Sequence, residues 1–211
     1  MALLFLEPFA ETGHLALWAL DESREELARQ FRGTPDELAE YEALHHPQKQ
    51  LEFLASRALA RAACEHLGYP YAGLRKDAFG KPYLREGPLH LSLTHCTTHA
   101  AVVLHPTRPV GIDLEPLREQ LRRVVPRVLT APELDHAAGD LHRLGVYWCA
   151  KEALYKLHGR GGITLRHHLF IEPFADDAPA VQGWIRPDQE DARAYRVVVR
   201  EVAGVLLAVA G

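Results

Sequence analysis

Two long helices, each accompanied by short strands, predict an α+β chain of two similar, pseudo-symmetric lobes. Pro47–Leu67 and Arg143–His158 are the two longest helical stretches. Gly68 closes the first, and Gly159, Gly161 and Gly162 follow the second. Short apolar segments separated by turn material come after each. Leu89–Thr94 and Ala100–His105 follow the first helix, with Val110–Glu115 as a further strand; Leu169–Pro173, Val181–Arg186, Tyr195–Glu201 and Val205–Ala210 follow the second. Pro106 to Pro109 reads as the connector. The expected layout is an N-terminal lobe at residues 1–107 and a C-terminal lobe at 108–211, each a long helix packed on a small antiparallel sheet. This likeness is one of element order, without a residue-by-residue repeat.

The remaining elements follow from local signals. His14–Leu20 reads as a strand. Asp21 or Ser23 caps a short helix ending near Arg32-Gly33, and Thr34-Pro35-Asp36-Glu37 has the form of another helix start, with Thr as N-cap and Pro in the first turn. Val202-Ala203-Gly204 makes a hairpin-like turn between the last two strands.

Composition narrows the function classes. The chain has 211 residues, 47% hydrophobic and 25% charged, enough for a sizeable core without covalent staples. Its three cysteines, Cys64, Cys96 and Cys149, are odd in number and widely spaced, which fits a reducing cytoplasm better than a disulfide framework. The apolar start, Met1 to Leu6, stops at Glu7-Pro8 and lacks a basic lead, so it does not read as a signal peptide. No apolar run approaches the ~20 residues that cross a bilayer. A net charge of −4 argues against nucleic acid as partner. Between His45 and Arg85, however, seven Lys and Arg face three acids, a local basic surface that suits a compact polyanion or simply a solvated helix face.

Three clusters carry chemistry-bearing side chains. In the strand Val110–Glu115, Asp113 and Glu115 share a face because alternate residues do. Two adjacent carboxylates repel unless a cation lies between them, and Mg²⁺ accepts such oxygen ligands with waters and phosphates completing its shell; alone, the pair also fits two solvated acids at a strand end. On the second long helix, Trp148, Glu152 and Lys156 fall four residues apart in one stripe. Glu before Lys at that spacing is the commonest surface pair, worth about 0.3–0.5 kcal/mol, but a tryptophan on the same stripe speaks for the edge of a cleft. Thr94 and His95 close a buried strand, where a histidine is commonly structural. His95, Cys96 and His99 raise zinc, without the second ligand pair that a structural site needs.

In chain order, Gly80-Lys81-Pro82, Thr94-His95, Gly111-Ile112-Asp113-Leu114-Glu115 and Trp148-Cys149-Ala150-Lys151-Glu152-Ala153-Leu154-Tyr155-Lys156 resemble the motifs of the Sfp-type 4'-phosphopantetheinyl transferases. Lys49 to Arg61 is similar to that family's early basic helix, and Thr130-Ala131-Pro132-Glu133 to its later acidic position. Thr94-His95-Cys96 stands where the family has Ser-His-Ser, and Gly159-Arg160-Gly161 where it has Gly-Lys-Gly. The resemblance implies a two-lobed fold with coenzyme A in the cleft between lobes, complete in a monomer. It implies Asp113, Glu115 and Glu152 as ligands of Mg²⁺; Lys49, Arg57, Lys81, Thr94 and His95 as contacts to the 3'-phosphate and adenosine side of coenzyme A; and Lys156 facing the pyrophosphate. It also implies an apo acyl or peptidyl carrier protein as partner, whose serine attacks the β-phosphorus and releases adenosine 3',5'-bisphosphate. Glu152 is the first candidate for the base that takes the serine proton, and Glu133 the second. Arg118, Arg122, Arg123 and Arg127 suit docking of an acidic carrier. The alternatives are another Mg²⁺-dependent phosphoester or nucleotide hydrolase using the same acids, or a coenzyme A-binding module without chemistry. A P-loop is excluded by sequence.

Overall fold

The computed structural model describes residues 2–211; Met1 lies outside the described residues. The chain divides into two compact units, one ending at Arg108 and the other spanning Pro109–Gly211. Both combine helices with antiparallel sheets, the α+β class expected from the sequence.

The first unit holds β1 (Ala2–Phe9), β2 (Gly13–Ala19), α1 (Arg24–Gln30), α2 (Pro35–Glu42), α3 (Pro47–His66), β3 (Leu74–Lys76), β4 (Pro82–Leu84), β5 (His90–His95) and β6 (His99–His105). Its main sheet has the order β1-β2-β6-β5. The apolar start of the chain thus forms an edge strand, which the sequence analysis did not anticipate; its register slips between Leu3 and Phe5, a bulge that obscures strict alternation. Of the two candidate caps, Ser23 is the one used: it forms a capping box with Glu26 at the start of α1. Thr34 and Glu37 do the same for α2. Helix α3 packs Leu54, Leu59 and Ala63 against Trp18, Ala100, Val102 and Leu104 of the sheet. Each large apolar side chain so buried contributes about 1.5–3 kcal/mol.

The second unit holds β7 (Gly111–Glu115), α4 (Leu121–Val124) running into a 3-10 turn at Val125–Arg127, α5 (Ala131–Ala137), α6 (Leu141–His158), β8 (Leu169–Ile171), β9 (Ala180–Ile185), β10 (Arg193–Val202) and β11 (Val205–Ala210). The strand order is β7-β11-β10-β9-β8. Helix α6 starts two residues before the expected Arg143 because Asp140 caps it, accepting from the Arg143 N–H at 2.8 Å. It ends at Gly159, whose left-handed φ of 63° suits glycine at a C-terminal stop. Ala203 and Gly204, with φ of 50° and 77°, turn β10 tightly into β11. Leu144, Tyr147 and Leu154 of α6 meet Ile171, Val181, Val197 and Leu206 of the sheet.

One construction recurs in both units. Glu37 caps α2 and also accepts from Tyr71 OH at 2.8 Å and Leu74 N–H at 3.1 Å, tying α2 to β3. Glu133 caps α5 from the same Thr-x-x-Glu pattern and accepts from Ile171 N–H at 3.0 Å, tying α5 to β8. Among the described residues no helix is long and apolar enough to cross a membrane. The three cysteines are free and buried.

Candidate functional site

The acids of the second unit meet because β7 lies unusually close to α6. Gly111 makes that possible: a Cβ there would sit 1.9 Å from the Ala153 carbonyl oxygen and 2.5 Å from Leu157 N. Backbone cannot yield as a side chain would, so Gly111→Ala should force the strand off the helix. We expect a loss of roughly 1–3 kcal/mol, read as a lower urea midpoint, with a parallel loss of any activity that needs β7 and α6 together.

Two residues on from Gly111, Asp113 is buried and accepts a hydrogen bond from Lys156 Nζ on Oδ1 at 2.7 Å. Glu115, on the same face, accepts from Arg118 Nη2 at 3.3 Å. The stripe of Trp148, Glu152 and Lys156 on α6 therefore addresses β7, which is why a tryptophan stands among charges. Burial pushes the Glu152 carboxyl up to about 7, with the negative charges of Asp113 and Glu115 adding to the shift and Lys156 opposing it. Burial and Asp113 likewise raise Glu115, against the pull of Arg118 and Trp148.

These shifts show three carboxylates near enough to feel one another's charge. They do not form a finished cage: among the described residues no three His, Cys, Asp or Glu side chains are grouped as a metal site. The expectation from sequence is one ion gripped jointly by Asp113, Glu115 and Glu152; in the structure Lys156 rests on Asp113 and Arg118 on Glu115. His95, Cys96 and His99 form no metal group either. An oxygen-only set of mutually repelling acids fits a hard divalent cation that needs only one or two protein carboxylates and takes its other ligands from water and phosphate.

Glu133 has different surroundings. It is 4% exposed, and its Oε2 accepts from Lys151 Nζ at 2.7 Å, from Thr130 N–H at 2.8 Å and from Thr130 Oγ1 at 2.9 Å. With Oε1 on Ile171 N–H, both oxygens are committed to holding the fold. Glu133, expected from sequence as the second candidate base, thus has a structural part: its two oxygens join α5, α6 and β8. Its partner Lys151 is fully buried and also donates to the carbonyls of Val128 at 2.9 Å and Leu165 at 3.1 Å. Lys151 escaped the sequence analysis, although the Thr-x-x-Glu capping signature pointed to a structural Glu133.

The cationic candidates of the first unit fall into separate groups. Lys49 and His95 converge on Glu52, a buried residue of α3: Lys49 Nζ lies 2.8 Å and His95 Nδ1 3.3 Å from its Oε2. Thr94 is buried beside His95 on β5. Arg57, two turns along α3, belongs elsewhere. Its guanidinium stacks 3.9 Å from the centre of the Phe53 ring and reaches Glu40 at 3.4 Å, and burial lowers its pKa. Lys81 sits on a turn built by Asp77, whose Oδ1 accepts from the N–H groups of Phe79 at 2.8 Å and Lys81 at 2.9 Å. Gly80, with φ of 84°, supplies the left-handed step of that turn. Burial lowers the Lys81 ammonium, opposed by Asp77.

Comparison with known proteins matches both units. Residues 109–210 match the model of the 4'-phosphopantetheinyl transferase superfamily, and residues 40–105 that of the 4'-phosphopantetheinyl transferase N-terminal domain. The chain is 34% identical over 134 residues to the 4'-phosphopantetheinyl transferase Npt of Nocardia iowensis, covering 58% of this chain and 60% of that protein. It is 36% identical over 121 residues to the 4'-phosphopantetheinyl transferase PptT of Mycobacterium tuberculosis, covering 52% and 51%. It is 35% identical over 77 residues to the holo-[acyl-carrier-protein] synthase of Staphylococcus carnosus, covering 31% and 66%. The matches thus span between half and two thirds of each relative's length. With both units matched in order, the chain belongs to the 4'-phosphopantetheinyl transferase superfamily.

Proposed function

We propose that this protein transfers the 4'-phosphopantetheine group of coenzyme A to a serine of an apo acyl or peptidyl carrier protein in the cytoplasm. The observation that carries this reading is the convergence of Asp113, Glu115, Glu152 and Lys156 from β7 and α6. The names of the related transferases and synthase support it.

The serine oxygen attacks the β-phosphorus of coenzyme A. The bond from that phosphorus to the bridging oxygen breaks, and adenosine 3',5'-bisphosphate leaves with the electron pair. Such a transfer needs charge neutralisation and in-line positioning more than covalent help. Lys156, already oriented by Asp113, supplies positive charge to the pyrophosphate. Lys49 and His95, with Thr94 beside them, hold the 3'-phosphate, and Arg57 and Lys81, in their separate groups, are left for the adenosine side. Glu152 accepts the serine proton. Asp113, Glu115 and Glu152 would hold Mg²⁺, which neutralises phosphate charge when bound. Incubation with coenzyme A, Mg²⁺ and a panel of apo-carrier proteins tests the reading by intact mass. One phosphopantetheine group should be gained on a serine; release of nucleotide product without a carrier would instead identify a hydrolase.

The carrier's acidic surface would dock near α4. Arg118 is engaged with Glu115, and Arg122 with Glu119 at 2.9 Å and the Gly139 carbonyl. Arg123 and Arg127 are exposed. Charge reversal of both should raise the KM for the carrier about tenfold and leave coenzyme A affinity unchanged. An unaltered carrier KM would remove this surface from the docking site.

A further inference from the structure

Among the described residues of the first unit, Glu52 is the one buried acid in contact with two candidate phosphate-binding cations. Its side chain is 5% exposed, whereas those of Lys49 and His95 are 62% and 36% exposed. Gln48 Nε2 also donates to Glu52 Oε1 at 3.3 Å and reaches the Thr97 carbonyl at 3.4 Å, joining the first turn of α3 to the loop after β5. A carboxylate buried this deeply is costly unless its hydrogen bonds are met, and here Lys49 and His95 share Oε2 while Gln48 serves Oε1. Because Nδ1 of His95 is turned toward Glu52, the opposite ring nitrogen, Nε2, points away from it. Lys49, on a flexible stem, loses freedom for the same reason.

We propose that Glu52 is a positioning residue that fixes Lys49 and His95 as one binding pair for a terminal phosphate monoester, the 3'-phosphate of coenzyme A. A ligand phosphate cannot replace Glu52, because the carboxylate lies beneath the cations and not on the surface. It orders two donors ahead of binding, much as an outer-shell carboxylate orients a metal-bound histidine, and lowers the entropy lost when the phosphate arrives. This inference rests on the assignment of Lys49 and His95 to the 3'-phosphate under the proposed function.

The test compares binding of coenzyme A and 3'-dephospho-coenzyme A to the full chain by calorimetry. The unsubstituted protein should prefer coenzyme A. Glu52→Gln should lower that preference about tenfold by weakening coenzyme A binding alone, with the dephospho compound held as before. Adding His95→Asn to Glu52→Gln should cost little beyond His95→Asn itself, since both remove one device. Glu52→Asp keeps a buried charge and serves if the Gln protein does not fold; it should show an intermediate preference. A reduced thermal midpoint with the full preference retained would mean that Glu52 only holds α3 to the β5–β6 loop, and would overturn the proposal. Equal affinity of the unsubstituted protein for both compounds would overturn it too, by showing that Lys49 and His95 do not meet the 3'-phosphate.

Discussion

Glu152→Gln is expected to abolish transfer to the carrier, by at least ~100-fold in kcat, while coenzyme A still binds. The substitution also has a signature in stability. Glu152 is raised from an ordinary 4.5 to about 7 in the folded protein. A carboxyl raised on folding favours the folded state fully below the unfolded value, and that contribution is lost as pH climbs through the folded value. Metal-free protein should therefore weaken between pH 4.5 and about 7 on account of this group. Gln carries no charge at any pH, so the variant should match the unsubstituted protein near pH 4 and exceed it at pH 8 by ~2 kcal/mol, after allowing for solvent screening. Adding Mg²⁺ at pH 8 should stabilise the unsubstituted protein more than the variant, because the ion relieves a repulsion that Gln has already removed. Near-normal turnover by Glu152→Gln, read as mass gain on a carrier, would exclude Glu152 from the mechanism. Identical pH profiles of thermal stability would exclude the charged cluster itself.

Much of this site could be read from residue spacing, because spacing determines which side chains share a face. Asp113 and Glu115 alternate along a strand, Trp148, Glu152 and Lys156 repeat every four residues along a helix, and both patterns survive into the structure. What could not be read was distance between elements. Gly111 looks like an ordinary strand glycine until α6 is laid against it, and only then does its missing Cβ explain how the acids come together. Lys151 looks like one more helix-surface lysine, since nothing nearby in sequence announces that Val128, Glu133 and Leu165 will close over it. Glu52 suffers the same ambiguity: Lys49 three residues before it suggests a solvated pair, and the histidine that completes the cluster arrives from β5. The elements themselves were legible where caps and glycines punctuate them. The edge strand β1 was not, because a bulge breaks its period.

Removing Lys151 should be the most damaging single change in the second unit. Its ammonium is fully buried and serves Glu133 and two backbone carbonyls, so Lys151→Met leaves three acceptors short of a donor in the interior. Breaking a buried pair by deleting one partner costs about 3–5 kcal/mol, which for a chain of this size lowers the thermal midpoint by roughly 10 °C. Glu133→Gln is the sharper experiment, because it separates the two parts this residue could play. A base that loses its carboxylate loses kcat at least ~100-fold with little change in stability. A cross-tie that loses its charge strands the Lys151 ammonium, so stability falls while kcat, measured well below the midpoint, stays within a few-fold. Combining Glu133→Gln with Lys151→Met should then cost less than the sum of the two, since the second change removes the charge that the first left uncompensated. Full stability of Glu133→Gln together with lost turnover would restore Glu133 to the chemistry and leave the burial of Lys151 without its stated purpose.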